Sequence, residues 1–297
     1  MSRDWAELWS GVSDGTLAPA ASLLVFSDGQ RVVLPMVVAQ RYKGILRDYQ
    51  LCASGGYGAA LSSQALGRAH HHLLLAHLVS LRNVSWLTCP IDEGSRAYAM
   101  EGADIQHTHL LQLNGSMADV VKRWSKGARA AAKQAQRAGV TVRLGLGARD
   151  WACYFDIYQD SLRRWGERAT ANYPRAIFDR LESVPGDRVR LWLAELDGQI
   201  IAGALCLYAS KHVSYWHGAA LDAHFAARPV NALMFAAVEH AVGAGYQWFD
   251  FGLSGGHEGV VAFKRGFGAD AVACYAVSRQ SASSRLIGQA LHKVLGG

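Results

Sequence analysis

The residue types that could do chemistry gather between Tyr246 and Ala269. A short apolar run, Trp248-Phe249-Asp250-Phe251, leads into Gly252-Leu253-Ser254-Gly255-Gly256, then into a short turn of helix carrying Phe263 and Lys264. A strand ending in a glycine-rich loop lets backbone approach a ligand closely, because no side chain intervenes. Asp250 closes the strand, where a carboxylate can orient the loop or meet an amine. Upstream, Tyr215-Trp216-His217 ends another expected strand, and an imidazole with an ordinary pKa is suited to accept a proton near neutral pH.

A second constellation is basic. Lys122, Lys126, Arg129, Lys133 and Arg137 are spaced four, three, four and four residues apart, with no Asp or Glu from Val120 to Arg149. That spacing sets them on one face of a helix. The alanines between them favour a helix and Gly139 stops it. Such a stripe is either a solvated face or a surface for phosphates of CoA, a nucleotide-linked substrate or tRNA. His70-His71-His72 with His77 has no nearby carboxylate, and His257-Glu258 lacks a second histidine, so no metal site is expected.

The elements needed to hold these residues read as a mixed α/β protein. Helices are expected at 4–12, 62–81, 116–138 (broken near Ser125-Lys126-Gly127), 150–165, 175–181, 230–243 and 285–295. Strands are expected at 22–26 and 31–38, as a hairpin turned at Asp28-Gly29, and then at 84–89, 107–113, 140–144, 189–196, 200–209, 213–218, 248–251 and 271–278. Antiparallel hairpins alternating with helices imply a mixed sheet rather than a purely parallel one. Gly145-Leu146-Gly147-Ala148 is the expected boundary between residues 1–145 and 146–297.

The chain has 297 residues, of which 51% are hydrophobic, enough for a sizeable core. No apolar run is long enough for a membrane span, and the N-terminus lacks a secretory pattern. The five cysteines, odd in number and scattered, argue against a disulfide framework, so a cytoplasmic setting is expected. A net charge of +6 admits a polyanionic partner.

The ending Phe263-Lys264-Arg265-Gly266-Phe267-Gly268 resembles the C-terminal signature of the Fem-type peptidyltransferases, within the GCN5-related N-acyltransferase (GNAT) superfamily. Thr108–Ser116, the basic run Arg129–Val140 and Leu193–Ala204 are similar to the strand-and-turn, helix and central hairpin of that family, in the same order. The resemblance covers roughly residues 105–270 and is looser over 1–100. It implies two tandem GNAT-like subdomains, each a mixed, largely antiparallel sheet flanked by helices, with a working cleft between them.

The resemblance also implies roles. Amide formation passes through a tetrahedral oxyanion, which a nearby cation stabilises. It places Lys264 there, with Phe263 packed against the adenosine or acyl end; His217, at the end of a strand facing the same cleft, is a candidate acceptor of the amine proton by its residue type, with water as the alternative acceptor that the superfamily allows. Asp250, Tyr215 and Trp165 fall on the acceptor side. CoA-dependent members hold the pyrophosphate on a glycine-rich turn at a helix start, where N–H groups are exposed. The matching stretch here is Ala227-Arg228-Pro229-Val230-Asn231-Ala232, which has Arg228 but no glycine. With Arg129 and Lys133, the Arg228, Val230, Asn231 and Ala232 positions are the candidate donor-binding residues. The missing glycines favour aminoacyl-tRNA over acyl-CoA as co-substrate, with no tightly bound cofactor, and a peptidoglycan precursor or peptide-like amine as acceptor. An acyl-CoA-dependent N-acyltransferase and a non-catalytic tRNA- or polyanion-binding protein on the same scaffold stay open as alternatives.

Overall fold

The computed structural model describes residues 3–42, 44–53, 56–92, 94, 103–166, 169, 172–184, 187–209 and 211–287. In chain order the elements are α1 (Arg3–Gly11), β1 (Leu17–Val25), β2 (Arg31–Arg41), β3 (Leu46–Gln50), β4 (Leu61–Ser62), α2 (Arg68–Ser80), β5 (Asn83–Leu87) and β6 (Asp104–Gln112). Then come α3 (Met117–Lys122), α4 (Lys126–Arg137), β7 (Thr141–Leu144), α5 (Gly147–Trp165), α6 (Arg175–Glu182), β8 (Val189–Leu196), β9 (Gln199–Tyr208) and β10 (His212–Ala220). A 3-10 turn (Asp222–Ala227) leads to α7 (Pro229–Gly243), β11 (Trp248–Leu253), α8 (Glu258–Gly266) and β12 (Asp270–Gln280). The last expected helix begins within the described residues and lies outside them beyond Ile287.

The chain divides into two compact units, residues 1–106 with 273–297, and residues 107–272. The sequence placed a boundary at Gly145 instead. In the structure that glycine directly follows β7, in the short connection to α5 inside the second unit. Its N–H donates to the Leu191 carbonyl, and the β7–β8 ladder runs directly beside it. Arg143 reaches Asp150 and Glu195 across the turn, and Asp150 also accepts the Leu146 N–H at 2.7 Å. A glycine-rich stretch reads as a linker, but side chains on either side of it close this one.

In the first unit, β1 and β2 form the expected hairpin, which is longer than expected at the end away from the turn, where Leu17 pairs with Ala39. β2 also pairs with β3 and β4, and β5 pairs with β3 in parallel and with β12 antiparallel. β3 has no signal in the sequence because Leu46-Arg47-Asp48-Tyr49-Gln50 is largely polar. Its place is set by the ladder and an Arg41–Asp48 ion pair at 2.6 Å. Helix α2 begins at Arg68, not Ser62, because Leu61 and Ser62 are taken by strand pairing. Leu74 and Leu78 of α2 pack on Val32, Leu34 and Met36 of β2 and on Trp86.

The second unit carries strands in the order β6-β11-β10-β9-β8-β7. Only β10 and β11 are parallel; the other neighbours in this order are antiparallel. Helix α7, buried on most of its circumference through Leu233, Met234, Ala237, Val238 and Ala241, packs on β8 and β9 and against α4. The expected break in the basic helix is present: α3 ends at Lys122, and Ser125 caps α4 by accepting the Ala128 N–H at 3.1 Å.

The break is where the C-terminal signature docks. Phe267, fully buried, meets Trp124, Phe251 and Phe263 with ring centroids 4.8, 5.6 and 5.0 Å away, and Ser125 N–H donates to the Gly266 carbonyl. Gly268 has φ +75°, and a Cβ there would stand 2.9 Å from the Arg123 carbonyl oxygen. Only glycine meets both demands. Gly268→Ala is expected to destabilise the fold by about 1–3 kcal/mol, measured by urea unfolding; a change under about 0.5 kcal/mol would contradict this packing.

Candidate functional site

The site is built where two parallel strands part. β10 and β11 pair at His212–Trp248, Val213–Phe249 and Ser214–Asp250, and no further. Immediately afterwards β10 bulges between Tyr215 and His217 against β9, and β11 shifts register against β6 between Asp250 and Leu253. Bulges of this kind re-aim side chains and end pairing next to active sites. Backbone that leaves a ladder must still be satisfied, and here side chains do that. Asp250, 1% exposed, accepts from Thr108 Oγ1 at 2.5 Å and from the Gly252 N–H at 2.8 Å. Lys264, 3% exposed, donates from Nζ to the Gly252 and Leu253 carbonyls, each at 2.8 Å. Gly252 itself has φ +71°, a turn that favours glycine.

Lys264 is the first candidate residue, and the structure places it under the loop. Burial lowers its pKa to about 8, while Asp250 pulls it upward. Two of the three ammonium hydrogens are committed to carbonyls, leaving one for another acceptor. Phe263 packs on Phe267 and lines a cleft of about 440 Å³ that also takes in Ser125, Gly127, Arg228 and Asn231. Buried His109, electrostatically coupled to Lys264, lies in the expected strand 107–113 but is not among the candidate residues that the sequence singles out. Its Nδ1 lies 3.3 Å from Ser254 Oγ, its Nε2 has no hydrogen-bond partner among the described residues, and burial with the nearby Lys264 and Arg265 charges lowers its pKa. A histidine within an expected strand gives no signal of this by type alone.

His217 sits on the bulge, walled by Tyr154, Tyr158, Tyr173 and Phe178. Its Nδ1 is 2.5 Å from the Tyr154 hydroxyl, and burial pushes its pKa down to about 4. Tyr215 points the other way, edge-on to Phe251 and close over Gly218, where a Cβ would stand 1.9 Å from its hydroxyl. Trp165 is half-buried at the end of α5.

The donor-side candidates separate into two groups. Arg228 caps α7 in a left-handed conformation (φ 56°, ψ 41°) and lines the 440 Å³ cleft with Asn231. Val230 and Ala232 pack against the core. The Asn231 and Ala232 amides turn back onto the Arg228 carbonyl. Arg129 and Lys133 lie on α4, where Lys126, Arg129, Lys133 and Arg137 line a shallow basin of about 480 Å³. Lys122 is instead paired to Asp119 at 2.9 Å. In the first unit, His70 bonds to Asp28 and His77 to Ser22. Among the described residues no group of three metal-ligating side chains assembles, and no helix is long and apolar enough to cross a membrane.

Comparison with known proteins decides the fold. Residues 122–265 match the acetyltransferase (GNAT) domain family. The structure of FemX superposes with a TM-score of 0.68 at 14% identity, over 99% of this chain and 94% of that one. Residues 122–265 carry a GNAT domain, and the chain as a whole shares the fold of FemX. The C-terminal domain of a putative lysylphosphatidylglycerol synthetase from Agrobacterium fabrum superposes with a TM-score of 0.56 at 13% identity, over 92% and 88% of the two chains. L-PGS from Bacillus licheniformis gives 0.53 at 13%, over 93% and 89%. No curated protein matches the sequence.

The clamp at the strand divergence makes a testable demand. Lys264→Met strands two carbonyls and is expected to cost about 1–3 kcal/mol in urea unfolding. Because the folded pKa lies below the ordinary lysine value, the unfolded chain binds more protons between about pH 8 and about pH 10.5, so native stability rises across that window. The gap between native protein and Lys264→Met should therefore widen from about pH 7.5 to about pH 9.5. A constant gap would mean that the ammonium titrates alike in both states.

Proposed function

We propose that this protein is an acyltransferase that forms an amide bond, taking an aminoacyl group from aminoacyl-tRNA and delivering it to an amine of a peptidoglycan precursor or peptide-like molecule. The observation that carries the reading is the face of α4. Lys126, Arg129, Lys133 and Arg137 line one basin, and among the described residues no carboxylate pairs with Lys126, Lys133 or Arg137. Twelve residues of helix extend about 17 Å, a length suited to successive phosphates of a nucleic-acid strand rather than to one pyrophosphate. Pro229 offers no N–H at the first position of α7, and the Asn231 and Ala232 amides already have a carbonyl. The helix start is thus poorly furnished for CoA, while Arg228 adds a cation at the edge of the neighbouring cleft.

In this reading the acyl ester lies at the parting of β10 and β11, the remaining N–H of Lys264 serves the oxyanion, and Phe263 packs against the donor. Asp250 keeps the loop in shape from beneath. FemX, similar in fold, and the lysylphosphatidylglycerol synthetase domain support an aminoacyl donor. The second reading, acyl-CoA-dependent N-acyl transfer, is favoured by the match to the acetyltransferase domain family.

Thermal stability and direct binding with charged tRNA, uncharged tRNA and acetyl-CoA test this. Charged tRNA is expected to bind with an affinity that falls steeply with salt, and Lys133→Glu with Arg137→Glu should weaken it about 10-fold or more and lower the salt slope by about 1 to 2. Stabilisation by acetyl-CoA with no response to tRNA would replace this reading with the CoA-dependent one.

A further inference from the structure

The bulge in β10 gives His217 a partner that fixes its chemistry. Trp216 is the extra residue, and it and His217 both meet Tyr173, at 4.8 and 6.0 Å between ring centroids. Edge-on contacts from Tyr158 at 4.6 Å and Phe178 at 6.1 Å close the rest of the wall. Into this wall α5 sends Tyr154, fully buried, whose ring lies so close over Gly203 of β9 that a Cβ there would stand 2.4 Å from it. The Tyr154 hydroxyl has one partner among the described residues, His217 Nδ1.

That arrangement decides where the protons are. A phenol can donate or accept, and a neutral imidazole carries its hydrogen on one nitrogen only. If Nδ1 carried it, the Tyr154 proton would have no hydrogen-bonded acceptor among the described residues, and an unmade bond of a buried donor is the costly case. If Tyr154 donates to Nδ1, both groups are satisfied and the imidazole hydrogen sits on Nε2. The surroundings keep the ring neutral: the facing groups from α5, from the segment before α6 and from α6 are Tyr154, Tyr158, Tyr173 and Phe178, and burial alone accounts for its low pKa. The Tyr154 phenol is itself held protonated by burial.

We propose that Tyr154 is a positioning residue that holds His217 as the neutral Nε2–H tautomer, so that the imidazole beside the diverging strands is a hydrogen-bond donor and not the acceptor of the amine proton. The assignment of the amine proton rests on the acyl-transfer reading; the tautomer does not. The consequence for that reaction is that the proton leaves to water, and that His217 meets an oxygen of the substrates rather than an N–H.

Two-bond proton–nitrogen NMR correlation on histidine-labelled native protein reads the tautomer without any substrate, so a failure here is distinct from a failure of the acyl-transfer reading. The His217→Gln spectrum identifies the signal. The expected result is a protonated Nε2 and an unprotonated Nδ1 shifted by a strong hydrogen bond. Tyr154→Phe should move that signal toward a mixture of the two tautomers, a change that loss of packing alone would not produce because the ring remains. An Nδ1–H tautomer in the native protein, or an imidazolium at neutral pH, overturns the proposal even where Tyr154→Phe does not fold.

Discussion

Strand β11 gives up its pairing with β10 at Asp250, and two buried charged side chains take over the satisfaction of its backbone. Asp250 holds the Gly252 N–H from one side, and Lys264 holds the Gly252 and Leu253 carbonyls from the other. The two do not form a direct ion pair. Each charge is instead met by main-chain dipoles at the place where β11 leaves β10 and shifts register against β6. The rest of the site depends on this arrangement. The parting is held from both sides, by this clamp on β11 and by the bulge between Tyr215 and His217 on β10.

The same constraint explains why the signature at the end of α8 has the residues it has. Lys264 must come from a helix whose start lies beyond the loop and whose end is pinned. Phe267 pins it by filling the space beside Trp124 and Phe251, and Gly268 lets the chain pass the Arg123 carbonyl. That carbonyl lies in the break between α3 and α4, so the basic helix and the glycine loop are positioned by one packing contact. A motif met in sequence as Phe-Lys-x-x-Phe-Gly is, in physical terms, one residue for the backbone clamp, two for packing and one for a left-handed turn.

Much of this was legible in the sequence because it is periodic or local. The basic stripe, its break before α4, the hairpins and the apolar α7 all follow from spacing and turn residues. The residues carried by the resemblance, Phe263 and Lys264, fall in one cleft wall and one clamp. What escaped was set by partners distant in sequence. β3 is a polar strand defined by its neighbours. The turn at Gly145 is closed by Arg143, Asp150 and Glu195. His109 and Tyr154 matter because of Ser254 and His217, 145 and 63 residues away. No local pattern announces such pairs.

The division of labour within the second unit also bears on which donor the fold suits. A helix start binds a pyrophosphate by leaving amides unused, and the start of α7 gives two of its amides to its own capping residue. Arg228 itself stands in the left-handed conformation (φ 56°) as its carbonyl accepts those bonds. That closes a turn at the expense of an anion cradle. Cationic side chains on α4 provide the alternative, and they differ from backbone amides in kind: they act at longer range, tolerate variation in phosphate position and weaken with salt. A fixed cradle suits a small cofactor held in one pose. A stripe of flexible cations suits a large, extended polyanion, and that difference is the physical basis of the proposed tRNA donor.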